Sequence, residues 1–138
     1  RSALLLSDPP MNVVPGRIAE AALHLGNHDP TAIPKHLQLL PEGPYLFGVR
    51  PNHVRTARRT ASDIEIRTRV GLAEISGSET SIHFEHSGCF WVSRQNGVHP
   101  LGVDQPIRVY IEPQRVFAFE PGGTLTAAPE PPSTGGTT

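Results

Sequence analysis

Short stretches in which apolar and polar residues alternate dominate the middle of the chain. Over residues 63–72, apolar residues at even spacing fall on one face of an extended strand and charged residues on the other: Ile64, Ile66, Val70 and Leu72. Shorter runs of the same kind follow at residues 79–85, 89–93, 106–111 and 116–119, separated by turns rich in glycine, proline or asparagine. The pattern predicts a series of β-strands.

The first third of the chain has a less regular pattern. Residues 12–25 contain a helix-favouring string, Ala19–Leu23, but Pro15 and Gly16 interrupt it early, and we expect one long bent strand. Residues 45–50 form a strand that stops at Pro51, because the residue before a proline favours an extended backbone. One helical turn is expected at 51–54. About seven short strands with such turns predict an all-β barrel or sandwich.

Length and composition narrow the function classes. The chain has 138 residues, a length typical of a single domain. Its 12 basic and 13 acidic residues give a net charge of −1, which does not indicate a strongly basic nucleic-acid module. A single cysteine, Cys89, excludes an internal disulfide framework and a cysteine-rich zinc site. The apolar run Ala3–Leu6 is far shorter than the roughly 20 residues that span a bilayer. We expect a soluble domain in a reducing compartment.

Candidate catalytic and metal-binding residues do not form a recognisable constellation. His83 and His86 are three residues apart on a predicted strand and should point to opposite faces, and no zinc spacing is found among the seven histidines. Cys89, beside Phe90 and Trp91, is typical of a small buried apolar residue. We expect no enzyme and no metal site in this chain.

Phosphate binding is considered at two places. Arg55, Arg58 and Arg59 form a basic cluster, but the surrounding residues include no aromatic side chain for stacking on a base, which favours a solvated loop. The only lysine, Lys35, follows a proline and not a glycine-rich loop, so the chain has no P-loop for ATP.

Three blocks of sequence carry a resemblance to a known family. Residues 7–18 read SDPPMNVVPGRI, residues 47–54 read FGVRPNHV, and the third block, 70–119, contains EISGSET at 74–80 and YIEPQRVFAF at 110–119. In this order, they resemble the C-terminal regulatory domain of ATP-binding subunits from bacterial ABC importers, in the sugar and glycerol-3-phosphate (maltose-importer-like) group. This module is the transport-associated OB, or TOBE-type, domain.

The resemblance implies a fold and a role. It implies a small OB-like barrel of short antiparallel strands with Gly/Pro-rich turns and at most one or two short helical turns. Residues 1–7 would be the remaining linker from an upstream ATPase domain, residues 8–125 the barrel, and residues 126–138 a disordered tail. The tail prediction also rests on its lack of apolar side chains.

The family role is non-catalytic: stabilising the ATPase dimer and receiving regulatory signals. No cofactor is expected here, since ATP and magnesium would bind the upstream domain. Implied partners are the twofold mate, membrane permease subunits contacted through the ATPase domain, and a cytoplasmic regulatory protein. The expected location is cytoplasmic, at the inner face of the cell membrane, and no nucleic acid is expected.

The motif residues are the candidates for regulatory or dimer contacts: Gly48, Arg50, Pro51, His53, Glu74, Gly77, Glu79, Trp91, Tyr110 and Arg115. Arg50 is suited to a bidentate carboxylate contact within the barrel or across the dimer. Gly77 is expected to have a positive φ in a hairpin. Trp91 and Tyr110 are expected to face outward as anchors of the dimer contact.

Two alternatives of another class stay open. Related molybdate and sulfate importers carry barrels of this type, so the domain could be a small-oxyanion or solute-sensing barrel. The residues that could contribute to such a site are Ser76, Ser78, Thr80 and Arg50. The second alternative is an OB-fold module that binds nucleic acid.

Overall fold

The computed structural model describes residues 11–129 and confirms an all-β architecture. Ten strands follow one another: β1 (Asn12–Ala19), β2 (Ala22–Leu25), β3 (Gly43–Val49), β4 (Val54–Arg55), β5 (Ile64–Ser76), β6 (Glu79–His86), β7 (Cys89–Asn96), β8 (Pro106–Ile111), β9 (Phe117–Phe119) and β10 (Leu125–Ala127). Single 3-10 turns lie at Lys35–Leu37, Pro51–His53 and Pro113–Arg115, one more than expected. No α-helix occurs in the described residues.

The strands form two antiparallel five-stranded sheets. The first has the order β10-β9-β3-β1-β2 and the second the order β4-β8-β5-β6-β7. In the second sheet, the edge strands β4 and β7 lie side by side: the Ser93 hydroxyl donates to the Val54 carbonyl, and the Thr56 hydroxyl donates to Gln95 Oε1 at 3.0 Å. The second sheet is therefore a nearly closed barrel, consistent with the expected OB-like fold.

The expectation of one long bent strand over residues 12–25 is wrong. The chain reverses at Glu20 and Ala21, whose φ angles are +55° and +59°, and β2 pairs back onto β1. The two central residues of such a tight hairpin turn need positive φ angles, and Asn and Gly are the residues that usually predict this turn in a sequence. Gly16 allows the close approach of the two strands, since a Cβ there would overlap the carbonyl oxygen of His24.

Apolar and polar residues alternate along β5, and its apolar face packs into the core as expected. Ile64, Ile66 and Val70 are buried, whereas Leu72 is 47% exposed. The register of β5 on β6 shifts between Val70 and Leu72, and this bulge at Gly71 moves the residues after it out of phase with the core.

The strand β7 has the opposite phase from the one expected. Trp91 is 1% exposed, and its Nε1 donates to the Val13 carbonyl at 3.1 Å, which joins the second sheet to the first. Phe90 is instead 86% exposed. Because Phe90, Trp91 and Val92 are all apolar, alternation gives the period of the strand but not its phase. Trp91 is thus a core residue and is excluded as an exposed dimer anchor.

The end of the folded part also differs from expectation. Strand β10 pairs with β9, and Ala127 packs against the core, so residues 126 and 127 belong to the sheet and not to a disordered tail. The predicted linker at 1–7 and the tail from residue 130 onward lie outside the described residues.

His86 is a buried polar residue beside Trp91. Its ring meets the Trp91 ring edge-on, with 5.2 Å between centroids, and its Nε2 has no hydrogen-bond partner among the described residues. Burial lowers the pKa of His86, the nearby His28 lowers it further, and a hydrogen bond with the Leu25 backbone opposes both. His83, three residues earlier, is on the other face and contacts Glu74 at 3.1 Å, as the strand period requires.

We expect Trp91→Ala to lower the free energy of unfolding by about 3–5 kcal/mol, because it empties a fully packed site and removes the bond to Val13. The matched change Phe90→Ala should alter it by about 0.5 kcal/mol or less as an exposed substitution. Urea denaturation followed by far-ultraviolet circular dichroism measures the stability of both variants. Tryptophan fluorescence is unsuitable, because Trp91→Ala removes the only tryptophan of the chain. Equal effects would contradict the phase assigned to β7.

We expect stability to fall as the pH drops below about 6.5. The unfolded chain protonates His86 near that pH, whereas the folded chain resists protonation until its lowered pKa is reached, so acid favours unfolding. His53, whose pKa is also lowered, acts in the same direction. The slope of unfolding free energy between pH 7.5 and 5.5 should be smaller in His86→Gln. The control His99→Gln removes an exposed histidine, and an equal loss of slope there would contradict the assignment.

Candidate functional site

Two chain segments cross between the sheets side by side, and we call them the double crossover. Pro51–His53 leads from β3 in the first sheet to β4 in the second, and Pro113–Arg115 leads from β8 back to β9. Because β3 pairs with β9 and β4 pairs with β8, both crossovers lie at the same end of the molecule.

The two crossovers have the same local design. Arg50 and Glu112 precede the prolines and are extended, with ψ of 146° and 120°. Each proline occupies the first turn position, where its missing N–H has no intrahelical partner to lose. A fully buried valine, Val54 or Val116, ends each turn. The shared pattern Xaa-Pro-Xaa-basic-Val is visible in the sequence at residues 50–54 and 112–116.

Charged side chains concentrate at the double crossover. Glu112 lies 3.8 Å from Arg115 Nε and 3.9 Å from Arg59 Nε, so one carboxylate serves two arginines. Arg50 instead stacks over the Phe117 ring, 5.3 Å from its centroid. Among the described residues, Arg50 has no carboxylate within ion-pair distance. The expected contact within the barrel is therefore absent there, and a contact across a dimer stays a prediction.

The cationic cluster is incompletely paired. Arg50 Nη1, His53 Nδ1 and Arg55 Nε are buried and have no hydrogen-bond partner in the part of the chain that the structure describes. Burial lowers the pKa of His53, Arg115 and Arg55 lower it further, and Glu112 only partly opposes them. The local potential is therefore positive, and His53 is held in its neutral form near pH 7.

A cleft of about 530 Å³ opens beside the double crossover, where β4 and the residues after it face β7; we call it the seam cleft. Its charged residues are Arg55, Arg59, Arg94 and Glu79. Its uncharged residues are Asn52, Thr56, Ala57, Gln95 and Asn96. The seam cleft is thus polar, and it carries three positive charges against one negative charge.

Hydrogen bonds to Asp63 hold the loop that carries Arg59. The Asp63 carboxylate accepts from the Arg59 N–H at 2.7 Å, from the Thr60 N–H at 3.2 Å and from the Thr60 hydroxyl at 2.7 Å. Burial would raise the pKa of Asp63, but these bonds and the nearby Arg58 outweigh it and lower the pKa. The loop is therefore ordered by an ionised carboxylate near neutral pH.

The predicted site residues are distributed over several parts of the molecule. Gly48 is buried beside the double crossover, where a Cβ would come within 2.5 Å of the Met11 sulfur. Gly77 has the expected positive φ, +62°, at an open hairpin, with nothing within 4 Å of an added Cβ. Glu74 is exposed beside His83, and Tyr110 is half-buried under the Arg58 guanidinium. Only Arg50, Pro51, His53 and Arg115, with Gly48 beside them, come together.

The residues of the oxyanion alternative do not form a common site. The Thr80 hydroxyl donates to the Gly97 carbonyl at 2.7 Å and accepts from the His99 N–H at 3.0 Å. Ser76 and Ser78 lie at the exposed hairpin between β5 and β6, whereas Arg50 packs on Phe117. No sequence pattern marks Arg94 as a site residue, because it reaches the seam cleft only where β7 curls back to β4.

The structure shows neither a metal-binding cluster nor a membrane span in the residues that it describes. Within residues 11–129, no three side chains of His, Cys, Asp or Glu are placed to hold a metal ion. No helix in residues 11–129 is long and apolar enough to cross a membrane.

Comparison with known protein families gives one match. Residues 47–119, just over half of the chain, match the TOBE domain, and this range runs from β3 through both crossovers to β9. No curated protein matches the chain. TOBE domains are typical of the C-terminal parts of ABC transporter ATPases and of molybdate-binding proteins, and the domain itself is non-catalytic. The chain therefore belongs to the TOBE domain family.

Proposed function

We propose that the chain is the regulatory and dimerisation domain of the ATP-binding subunit of an ABC importer, in the sugar or glycerol-3-phosphate group. The observation that carries the proposal is the TOBE match across the double crossover, whose Arg50-Pro51 and Glu112-Pro113 turns are the motifs of the resemblance. The importer group rests on those motifs and on the block at residues 7–18.

The double crossover suits a domain that passes on mechanical or regulatory signals. Strand β1, which follows the N-terminal residues, belongs to the first sheet, and the barrel is the second sheet. Two proline-stiffened connections at one end make the sheets move together, so a displacement of the N-terminal side reaches the barrel. ATP and magnesium belong to the upstream ATPase domain of this proposal, and the present domain supplies no catalytic group.

We further propose which partners the domain contacts and where it works. The domain pairs with its twofold mate, contacts permease subunits through the ATPase domain, and receives signals from a cytoplasmic regulatory protein. It works at the cytoplasmic face of the cell membrane, and no nucleic acid takes part.

The outer face of β5–β7 is our candidate for the dimer contact. Phe90 is 86% exposed and Leu72 is 47% exposed. Phe90 borders a shallow cleft of about 680 Å³ that reaches Gly71 at the β5 bulge. An exposed aromatic side chain beside a hollow suits a twofold contact, in which the ring of each copy fills the hollow of the other. Phe90 replaces Trp91 in this role, and Tyr110 is less suitable because Arg58 covers its ring at 5.1 Å.

We expect the gene that encodes this chain to encode a P-loop and an ABC signature ahead of it. The present chain should bind no ATP, because its one lysine lies outside any glycine-rich loop. Sequencing the coding region checks the first point, and calorimetric titration with Mg-ATP checks the second. An unrelated upstream domain, or saturable ATP binding at micromolar concentration, would contradict the proposal.

We expect weak self-association that Phe90→Ala reduces. The isolated domain keeps only part of the contact, so the dimer should form toward millimolar concentration and have twofold symmetry. Sedimentation velocity over a wide concentration range measures it. The control Leu39→Ala removes a 97% exposed apolar side chain from the connection between β2 and β3. A wild type that stays monomeric would refute the proposed dimerisation. A dimer that Phe90→Ala leaves unchanged would exclude only the outer face of β5–β7 as the contact surface.

A further inference from the structure

We propose that the seam cleft binds a small molecule that carries one phosphate monoester and several hydroxyl groups. The inference goes beyond the proposed regulatory role and does not rest on it. It concerns Arg55, Arg59 and Arg94 together with the polar residues around them, none of which the family match assigns to a ligand.

The seam cleft exists because the barrel does not close completely. β4 has only two residues, Val54 and Arg55, and pairs with β8; no backbone ladder joins it to β7 within residues 11–129. Two side-chain hydrogen bonds bridge the seam instead, from Ser93 to Val54 and from Thr56 to Gln95. A gap between two edge strands leaves room for a ligand without disturbing the core.

The arginines of the seam cleft lack the carboxylate pairing that three other arginines of the barrel have. Arg58, Arg67 and Arg108 all lie within 3.5 Å of the Glu65 carboxylate. By contrast, Arg55 and Arg94 form no ion pair in the described residues, and Arg59 has only the 3.9 Å contact with Glu112.

The position of Arg55 makes its missing partner significant. Its Nε is buried without a hydrogen-bond partner from the described residues. A buried donor without a partner is unfavourable, and so is the proximity of several positive charges. An anion bound in the cleft relieves the repulsion between these positive charges.

The charge of the cleft favours a phosphate ester over a simple carboxylate. Three arginines and Glu79 leave a net charge of +2. A phosphate monoester carries about −1.5 to −2 at pH 7 and offers three acceptor oxygens. Guanidinium groups match these oxygens with paired hydrogen bonds, which gives direction as well as attraction.

The remaining lining indicates what is attached to the phosphate. The amides of Asn52, Gln95 and Asn96 can both donate and accept, and the Glu79 carboxylate accepts from hydroxyl groups but repels a second anion. Ala57 is the only apolar residue of the lining, so the cleft offers no aromatic side chain on which a nucleobase could stack. A volume of about 530 Å³ lies within the usual range for small-molecule sites.

Part of the cleft is organised before any ligand enters. The three hydrogen bonds to Asp63 hold the loop of Arg59 and Thr60, and the Thr56–Gln95 bond spans the seam. Binding therefore needs to order little backbone, and its main ordering cost is in the exposed side chains of Arg59 and Arg94.

Calorimetric titration of the full chain tests the inference with five probes: glucose 6-phosphate, ribose 5-phosphate, glucose, inorganic phosphate and an eight-residue thymidine oligonucleotide. We expect saturable binding of at least one sugar phosphate below about 1 mM, at least tenfold tighter than inorganic phosphate. Glucose and the oligonucleotide should not bind. The sugar phosphate should bind more weakly as salt is raised.

Variants tie the binding to the cleft. Arg94→Gln and Arg55→Gln should each raise the dissociation constant about tenfold or more, since each removes a charged hydrogen-bond donor. The control Arg67→Gln removes the same charge from the Glu65 cluster and should bind as wild type does. Glu79→Gln should bind inorganic phosphate more tightly and lose preference for the sugar ester. Circular dichroism melting shows whether each variant is folded; Arg94 is exposed, which favours a folded variant at that position.

Several results would overturn the inference. One is the absence of sugar-phosphate binding at millimolar concentration. Another is inorganic phosphate binding as tightly as the esters, which would indicate a simple oxyanion site. A third is oligonucleotide binding that depends on Arg94, which would indicate a nucleic-acid surface. Equal binding by wild type, Arg94→Gln and Arg55→Gln would place the ligand outside the seam cleft.

Discussion

The architecture depends on the two proline turns that carry the chain between the sheets. Pro51 and Pro113 are buried, and each lies between an extended residue and a buried valine, so neither crossover can shift without exposing apolar surface. Because the turns lie side by side, they set the position of the barrel against the first sheet. A second link adds to them: Asn12 exchanges two hydrogen bonds of 2.8 Å with the backbone of Val92. The hydrophobic core lies between the two sheets that these links hold together.

Trp91 is the side chain through which the sheets share that core. It contacts Phe84 and His86 within the barrel and donates to the Val13 carbonyl in the first sheet. A buried indole N–H that lacks an acceptor weakens the gain from burying the ring, and here the Val13 carbonyl of the neighbouring sheet is that acceptor. The packing of this residue also explains why its neighbour Phe90 must face outward.

The arginines show how one chain of nearly zero net charge can carry a local positive field. Glu65 forms ion pairs with three arginines of the barrel. Glu112 forms ion pairs with two arginines at the double crossover. Arg55 and Arg94 have no such partner in the described part of the chain, so positive charge remains at the seam. Phe90 and Arg94 lie near opposite ends of β7, and the candidate dimer face and the seam cleft are therefore different regions of one strand.

The sequence by itself determined the fold class, because its signals depend only on neighbouring residues. These signals are the alternation of apolar and polar residues in β5, β6 and β8 and the extended backbone of the residues before Pro51 and Pro113. The family motifs likewise predicted Gly77's hairpin geometry and grouped Arg50 with His53. What the sequence left open is set by contacts between distant residues. Three consecutive apolar residues in β7 do not reveal which one faces the core. The left-handed turn at Glu20 and Ala21 contains no glycine that would have predicted it. Arg94 joins Arg55 only when β7 returns to β4. Ala127 is ordered by pairing with β9, although its own segment has little apolar surface. Local patterns specify strands and turns, whereas phase, partner and charge grouping arise from packing between segments far apart in the chain.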